Sequence, residues 1–129
     1  MRNSQVRIEQ VDIRDNTHRI DSVVVGIGGV HGREGAEIII DDSRILNNTW
    51  DGIALYRGAM VTVTDCIVKD GRGAGIGVTW DGTCVAYRNE VSGYWKGIGS
   101  FGTSTVIARN NLVHDNLGWG IVATGASTM

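Results

Sequence analysis

The chain of 129 residues has the length of one domain, and its formal net charge of −2 is not gathered in blocks of one sign. This balance gives no indication of a nucleic-acid or membrane partner. No apolar run is long enough to span a bilayer, and the N-terminus lacks a signal-peptide pattern. We therefore expect a soluble domain, and the sequence leaves its location open.

Glycine is abundant, with 19 residues, and proline is absent. Glycine at this level, without a collagen period, indicates many tight corners or close backbone approaches. Together with the many valines and isoleucines, it predicts an all-β fold. The two cysteines, Cys66 and Cys84, are too few for a disulfide scaffold, so we expect free thiols.

A Gly-Ile dipeptide recurs along the chain, at spacings of 26, 23, 22 and 23 residues. A period of 22–23 residues is typical of a solenoid. The five copies are Gly26-Ile27, Gly52-Ile53, Gly75-Ile76, Gly97-Ile98 and Gly120-Ile121.

Before each Gly-Ile the chain has an alternating strand, a polar corner and one more apolar residue. The alternating pairs predicted to face inward are Val6 and Ile8, Ile38 and Ile40, Val61 and Val63, Cys84 and Ala86, and Val106 and Ala108. The corners contain Gln10, Asp42-Ser43, Asp65-Cys66, Arg88-Asn89 and Asn110-Asn111, where Asn and Asp tolerate a left-handed backbone. The single apolar residues that follow are Ile13, Ile45, Val68, Val91 and Val113.

Three strands and three corners per repeat predict a parallel β-helix over residues 1–129, with about five coils of 22–23 residues. We expect the first coil to carry extra residues, within Thr17–Val25 and within His31–Gly35. No capping helix is apparent at either end. The chain is therefore expected to be a piece of a longer β-helix, or a small protein whose ends or sides are covered by other copies.

The repeated pattern V-x-V-x-[DN]-x-x-[IV] followed by Gly-Ile resembles right-handed parallel β-helix proteins of the pectate-lyase-like superfamily, over almost the whole chain. The resemblance implies a right-handed solenoid and a polysaccharide as partner. That superfamily includes polysaccharide lyases, polygalacturonases, alginate C5-epimerases and phage tailspikes, so an enzyme here is expected to have lyase, hydrolase or epimerase-like activity. Their catalytic signatures are not matched, and fold alone does not fix function.

Aromatic residues fall mainly in the loop before Gly-Ile and on the outer face of the strand after it. In the enzymes that the chain resembles, this side holds the substrate cleft. Aromatic faces stack on sugar rings, so the pattern predicts a glycan groove. Trp50 and Trp95, two coils apart, are predicted to lie about 10 Å from each other, the span of two sugar units. Alternatively, these aromatics cover a thin edge of the core. The candidate ligand-binding residues are Trp50, Tyr56, Tyr94, Trp95, Lys96, Phe101 and Trp119.

Acidic residues on the same side are candidates for chemistry. Asp70 could act as acid or base with Asp51 or Asp115, while Arg72 or Lys96 stabilises an enolate-like anion.

Asp70 and Asp115 also share one repeat position with Asp15, Asn47 and Gly93. Oxygen ligands at coil spacing could bind calcium. The favoured interpretation is that these residues are turn formers, and no other cofactor is expected.

The three histidines show no metal-ligand spacing, so we predict no metal site for them. His18 and His31 fall in the expected extra segments of the first coil, near Arg33 and Glu34. Insertions on a solenoid often carry function, so a small enzyme that uses these residues is a third interpretation.

Branched aliphatic residues also point outward from the first strand of several coils: Ile39, Val85 and Ile107, with Thr62 between them. Such a column predicts a packing surface and hence a homo-oligomer, unless it is ordinary scatter of exposed apolar residues. The leading prediction is thus a carbohydrate-binding or -processing module. The alternative is a structural β-helix that self-assembles through its sides or ends.

Overall fold

The computed structural model describes residues 3–17, 19–24 and 28–129. In chain order the strands are β1 (Gln5–Glu9), β2 (Asp12–Arg14), β3 (Arg19–Ile20), β4 (Val23–Val24), β5 (Gly28–Arg33), β6 (Glu37–Asp41), β7 (Arg44–Leu46), β8 (Asp51–Tyr56), β9 (Met60–Thr64), β10 (Ile67–Lys69), β11 (Ala74–Val78), β12 (Thr83–Tyr87), β13 (Glu90–Ser92), β14 (Lys96–Ser100), β15 (Thr105–Arg109), β16 (Leu112–His114) and β17 (Trp119–Ala123). None of the described residues belongs to a helix that could cross a membrane.

Three parallel sheets, each five strands deep, form a solenoid. The first sheet has the order β1-β6-β9-β12-β15, the second β2-β7-β10-β13-β16, and the third β5-β8-β11-β14-β17. One strand of each sheet belongs to each coil, and the coils are numbered 1 to 5 from the N-terminus. The chain makes about four full turns between β1 and β15. The prediction of an all-β parallel β-helix is confirmed, with a turn count close to the five coils expected.

The core consists of the inward residues that the alternation predicts. In coils 2 to 4 the alternating pairs of the first sheet are at most 3% exposed. Removing each such valine or isoleucine from water contributes about 1.5–3 kcal/mol. In coils 1 and 5, Val6, Ile8 and Ala108 are only partly buried, because their strands have a stacked neighbour on one side alone. Val106 of coil 5 is 1% exposed, beside the bridge between Thr105 and Thr128.

Polar residues form the corners because the backbone there is left-handed. After the first-sheet strands, positive φ angles occur at Gln10, Asp42, Asp65, Arg88 and Asn110. After the second-sheet strands they occur at Asp15, Asn47, Asp70, Gly93 and Asp115. The favoured interpretation of the shared Asp/Asn position as a turn is confirmed, since short polar side chains and glycine adopt this conformation most readily.

Side-chain amides satisfy backbone groups at the buried corners. Asn89 donates from Nδ2 to the Val63 carbonyl, and its Oδ1 accepts a hydrogen bond from the Cys66 N–H at 2.9 Å. Both Cys66 and Cys84 are buried free thiols, as expected. Burial raises the pKa of Cys84 to about 12, so this thiol is unreactive.

The first coil differs from the prediction. Val30 pairs with Ile53, so Gly29-Val30 occupies the place assigned to Gly26-Ile27, and the latter pair lies outside the described residues. Gly29 and Gly52 are 23 residues apart, which is the regular spacing of the repeat, whereas Gly26 and Gly52 are 26 apart.

The extra residues of the first coil therefore all lie in one place. Partners are 32 residues apart between β1 and β6 but 23 apart between β5 and β8, which leaves nine extra residues between β2 and β5. This loop contains the antiparallel hairpin β3–β4. The predicted extra residues within His31–Gly35 are wrong, because His31 pairs with Ala54 and Arg33 with Tyr56 in ordinary register.

The recurring glycine at the second position of the third-sheet strands has a packing cause. A Cβ on Gly75 would overlap Val91 Cγ1 and lie 2.8 Å from the carbonyl oxygen of Gly97 in the next coil. Only a residue without a side chain lets the strand approach the second sheet this closely.

Candidate functional site

A trough runs along β11 on the outer face of the third sheet, and we call it the β11 trough. Its floor is formed by small residues of coil 3, and larger residues of coils 2 and 4 form its walls. Its volume is about 330 Å³, at the lower end of the roughly 300–1,000 Å³ typical of ligand sites. The lining residues are Trp50, Asp51 and Tyr56 from coil 2, Gly73, Ala74, Gly77 and Thr79 from coil 3, and Lys96 and Phe101 from coil 4.

The trough exists because the segment GRGAGIGVTW, residues 71–80, has small side chains at every position that contributes to the floor. Gly73 also makes room for a neighbour, since a Cβ there would overlap the Asp51 carboxylate. A larger residue at Gly73 would therefore both fill the floor and displace this carboxylate.

Asp51 is the acidic group of the trough. One of its carboxylate oxygens accepts a hydrogen bond from the Ala74 N–H at 2.7 Å. Burial raises the pKa of Asp51, while the Ala74 N–H and the charges of His31 and Lys96 act in the opposite direction. Burial, and secondarily the negative charge of Asp51, also raises the pKa of Tyr56. The Asp51 carboxyl is thus more readily protonated in the trough than an aspartate side chain in water.

Two aromatic walls of the trough each lie beside a cation. The Arg72 guanidinium carbon lies 5.3 Å from the centre of the Trp50 ring, and Lys96 Nζ lies 5.4 Å from the Phe101 ring. The Phe101 ring also covers Gly99, where a Cβ would lie 2.5 Å from its edge. These contacts fix the rings while leaving Trp50 46% exposed.

The far end of the trough is marked by Trp80, which lies two residues after the end of β11. Its ring meets Tyr56 edge-on at 6.1 Å, and the Arg57 guanidinium lies 4.9 Å from it. The His31 ring lies 6.1 Å from the other side of Tyr56. Arg33 joins these four residues in lining a second depression, which is continuous with the trough at Tyr56.

The family model of the right-handed β-helix region matches residues 1–129, which is the whole chain. The chain belongs to this family. The match agrees with the resemblance to pectate-lyase-like proteins and with the parallel three-sheet topology. Because members of this family are right-handed β-helices, the solenoid is right-handed. No curated protein and no solved structure matches the chain significantly. The family therefore establishes the fold, and arguments about function depend on the site.

The β-helix brings five of the predicted site residues to one place: Trp50, Asp51, Tyr56, Lys96 and Phe101. Asp70 and Arg72 line another depression at the corner between the second and third sheets, although the Arg72 guanidinium also lies beside the Trp50 ring of the trough. Asp115 lies two coils above Asp70 and forms a 2.7 Å hydrogen bond with His114. A direct Asp51–Asp70 pair is thus not assembled, and the catalytic roles assigned to these residues stay predictions.

Trp95 and Trp119 form a pair of their own. Their rings meet edge-on with centroids 6.2 Å apart, and Trp95 lies over Gly118 rather than over the trough. Trp50 and Trp95 do hold the same place in their coils, directly before the third-sheet strand, whereas Trp119 is one position further on. The assignment of Trp95 and Trp119 from the sequence as ligand-binding residues stays a prediction, and a ligand confined to the residues that line the trough would contact neither ring.

Tyr94 is a correction to the predicted binding residues. It is 0% exposed, so it cannot present its ring to a ligand on the surface. The ring fills interior space left by two glycines, because a Cβ would overlap it at Gly71 and would lie 2.7 Å from its Oη at Gly52. Burial strongly raises the pKa of the phenol. For Tyr94 the alternative interpretation, an aromatic that completes the core, is the right one.

The histidine-containing segments also differ from expectation. His31, Arg33 and Glu34 belong to regular coil structure rather than to an insertion, and Glu34 forms ion pairs with Arg33 and Arg57. His18 lies outside the described residues. The sequence places Arg57 and Trp80 just beyond the outward residues of the third-sheet strands, but they were not among the candidate binding residues, and His31 was not expected beside the site. The Gly29-Val30 register was the signal that would have placed His31.

Calcium has no assembled ligand set in the part of the chain that the structure describes, where no group of three or more His, Cys, Asp or Glu residues could hold a metal. The Asp/Asn corner position is explained by its left-handed backbone instead.

Proposed function

We propose that the β11 trough binds a linear carbohydrate polymer. The observation that carries this proposal is the arrangement of exposed aromatic walls above a floor of glycine, alanine and threonine. Such a floor leaves room for a flat ring, and aromatic faces interact with the apolar face of a sugar. A monomer fold that exposes aromatic rings around a concave surface commonly does so for a ligand.

Polar groups at the walls support the same assignment. Lys96 and Arg72 provide cationic donors, and the Asp51 carboxyl can exchange hydrogen bonds with sugar hydroxyls. Because burial favours its protonated form, Asp51 is also our candidate proton donor for a hydrolase, lyase or epimerase-like reaction. Binding is the primary proposal, and turnover is secondary to it.

Affinity gel electrophoresis tests binding with immobilised β-linked glucan, mannan, polygalacturonate, alginate and hyaluronate. At least one polymer should retard the wild-type protein. Trp50→Ala should weaken that retention about tenfold or more, corresponding to about 1.4 kcal/mol for a central aromatic contact.

Trp95→Ala is the matched control, because Trp95 is 48% exposed, holds the same place in its coil, and lies outside the trough. Equal loss from both variants would contradict the trough as the site. If none of the polymers retards the wild-type protein, carbohydrate binding is contradicted.

A second candidate function is self-association through the first sheet. Its outer face exposes Ile39, Met60 and Ile107, with Glu9 near one end and Arg109 at the other. A second copy turned about an axis along β9 would place acidic and basic ends together and Ile39 opposite Val85. The sheet measures about 24 by 17 Å, or about 400 Å² per copy, half of a standard interface of about 800 Å². The expected dimer is therefore weak.

Sedimentation velocity over a wide concentration range tests this candidate. The wild type should show concentration-dependent association that Ile107→Lys abolishes. Leu112→Lys is the control, since Leu112 is also an exposed aliphatic residue but lies on the second sheet. A monomer at every concentration, or equal effects of both variants, would refute association through this face.

A further inference from the structure

We propose that the carbohydrate chain lies along β11, across the solenoid axis, and that Trp80 with Arg57 forms a second stacking subsite at the far end of the trough. The inference rests on the proposed function, because it presumes that the β11 trough takes a carbohydrate. It adds a direction, a length and a binding subsite beyond the aromatics that line the trough.

The direction follows from which coil carries small residues. Coil 3 alone forms the floor, and the walls on either side are Trp50 and Tyr56 of coil 2 and Lys96 and Phe101 of coil 4. A polymer running parallel to the solenoid axis would have to cross these walls. Phe101 closes that route above coil 3 by covering Gly99. The open path therefore follows the strand.

The length follows from the two ends of the path. At one end Arg72 lies beside the Trp50 ring, and at the other Arg57 lies beside the Trp80 ring. From Gly73 to Trp80 the chain spans at most about 23 Å, at about 3.3 Å per extended residue. Taking about 5 Å for each hexose ring, the path accommodates about four sugar units.

Trp80 carries a second sign of function in its backbone. It adopts φ 58°, in the left-handed region, where a bulky residue is strained. The next two coils have Gly102 and Gly125 at the corresponding corner, whereas the two preceding coils have Glu34 and Arg57 there, each also with a positive φ. Trp80 is the bulkiest of these five residues, and its ring remains about half exposed, so burial does not compensate for the strain. A strained backbone beneath an exposed ring that contacts Arg57 and Tyr56 supports a ligand-contacting role for Trp80.

Isothermal titration with oligomers of two to six units tests the inference, using β-1,4-linked glucose and galacturonate series. For the series that binds, wild-type affinity should rise with length up to about four units and then level off. Trp80→Gly should reduce the affinity for the tetramer about tenfold and leave the dimer affinity unchanged. Glycine suits this backbone, so the variant removes the ring without adding strain.

Tyr87→Ala serves as the control for loss of an aromatic ring beside an arginine, because Tyr87 ends β12 on the first sheet, has the Arg88 guanidinium carbon 4.3 Å from its ring centre, and does not line the trough. This variant should leave all affinities unchanged. Affinity that does not rise between two and four units, or a tetramer affinity insensitive to Trp80→Gly, overturns the inference while the proposed function stands. Failure of the wild type to bind any oligomer of either series overturns the inference, and retardation by none of the five polymers in gel electrophoresis overturns the proposed function as well.

Discussion

Replacing Tyr94 by phenylalanine should stabilise the protein. The Tyr94 Oη is buried and has no hydrogen-bond partner among the described residues. A buried polar group without a partner costs about 1–3 kcal/mol, and phenylalanine keeps the ring that fills the space beside Gly52 and Gly71. Subtracting the small loss of oxygen contacts, we expect a gain of about 1 kcal/mol, or a rise in Tm of about 4 °C.

Urea unfolding followed by tryptophan fluorescence measures this change, and the m-value should stay constant. Tyr94→Ala is the companion variant: it leaves a cavity in the core and should cost about 3–5 kcal/mol. Carbohydrate binding by Tyr94→Phe should equal that of the wild type, because the residue lies beneath the surface. Destabilisation by Tyr94→Phe of 1 kcal/mol or more would refute the reasoning, since it would mean that the hydroxyl makes a stabilising hydrogen bond.

Three further variants test other parts of the structure. Gly75→Ala should lower the free energy of unfolding by about 1–3 kcal/mol through overpacking. Gly120→Ala is the control, because its Cβ would lie 3.7 Å from its nearest neighbour, and it should change the free energy of unfolding by less than about 0.5 kcal/mol. Equal losses of stability in the two variants would contradict the close approach at Gly75. Burial raises the folded pKa of Asp51. Wild-type stability should therefore fall as pH rises from the unfolded pKa of about 3.9 through the folded pKa. Urea midpoints measured at several pH values should show no such fall for Asp51→Asn. The neighbouring carboxylates of Asp115 and Glu90 raise the pKa of His114. The stability that His114 contributes to the fold should therefore be fully present below the unfolded pKa of about 6.5 and disappear as pH rises through the folded pKa. A His114→Gln variant that is equally destabilised in acid and in alkali would exclude this ion-pair contribution.

The fold was predictable because each coil repeats the same local chemistry. Alternating aliphatics identify the inward face, and residues such as Asp42 and Asp65 identify left-handed corners. The first coil was misread because its third strand begins with Gly29-Val30, while a stronger match to the repeat stands three residues earlier. Only the pairing of Val30 with Ile53 distinguishes the two.

The site was predictable in part. The loop-and-strand pattern located Trp50, Tyr56 and Phe101 correctly, because their side of the coil follows from the strand period. The direction of a side chain in a corner does not follow from that period. Tyr94 turns inward because Gly71 leaves space one coil below, and Trp95 turns away from the trough over Gly118. These directions depend on contacts between coils rather than on local sequence.

The four tryptophan indole N–H groups give separate signals in a ¹⁵N–¹H spectrum, so each can report contact with a carbohydrate. Titration with the β-1,4-linked glucose tetramer and the galacturonate tetramer should shift the signals of Trp50 and Trp80, at the two ends of the β11 trough. The signals of Trp95 and Trp119 should stay in place. Shifts confined to Trp95 and Trp119, or no shift with either tetramer, would contradict the assignment of the trough as the carbohydrate-binding site.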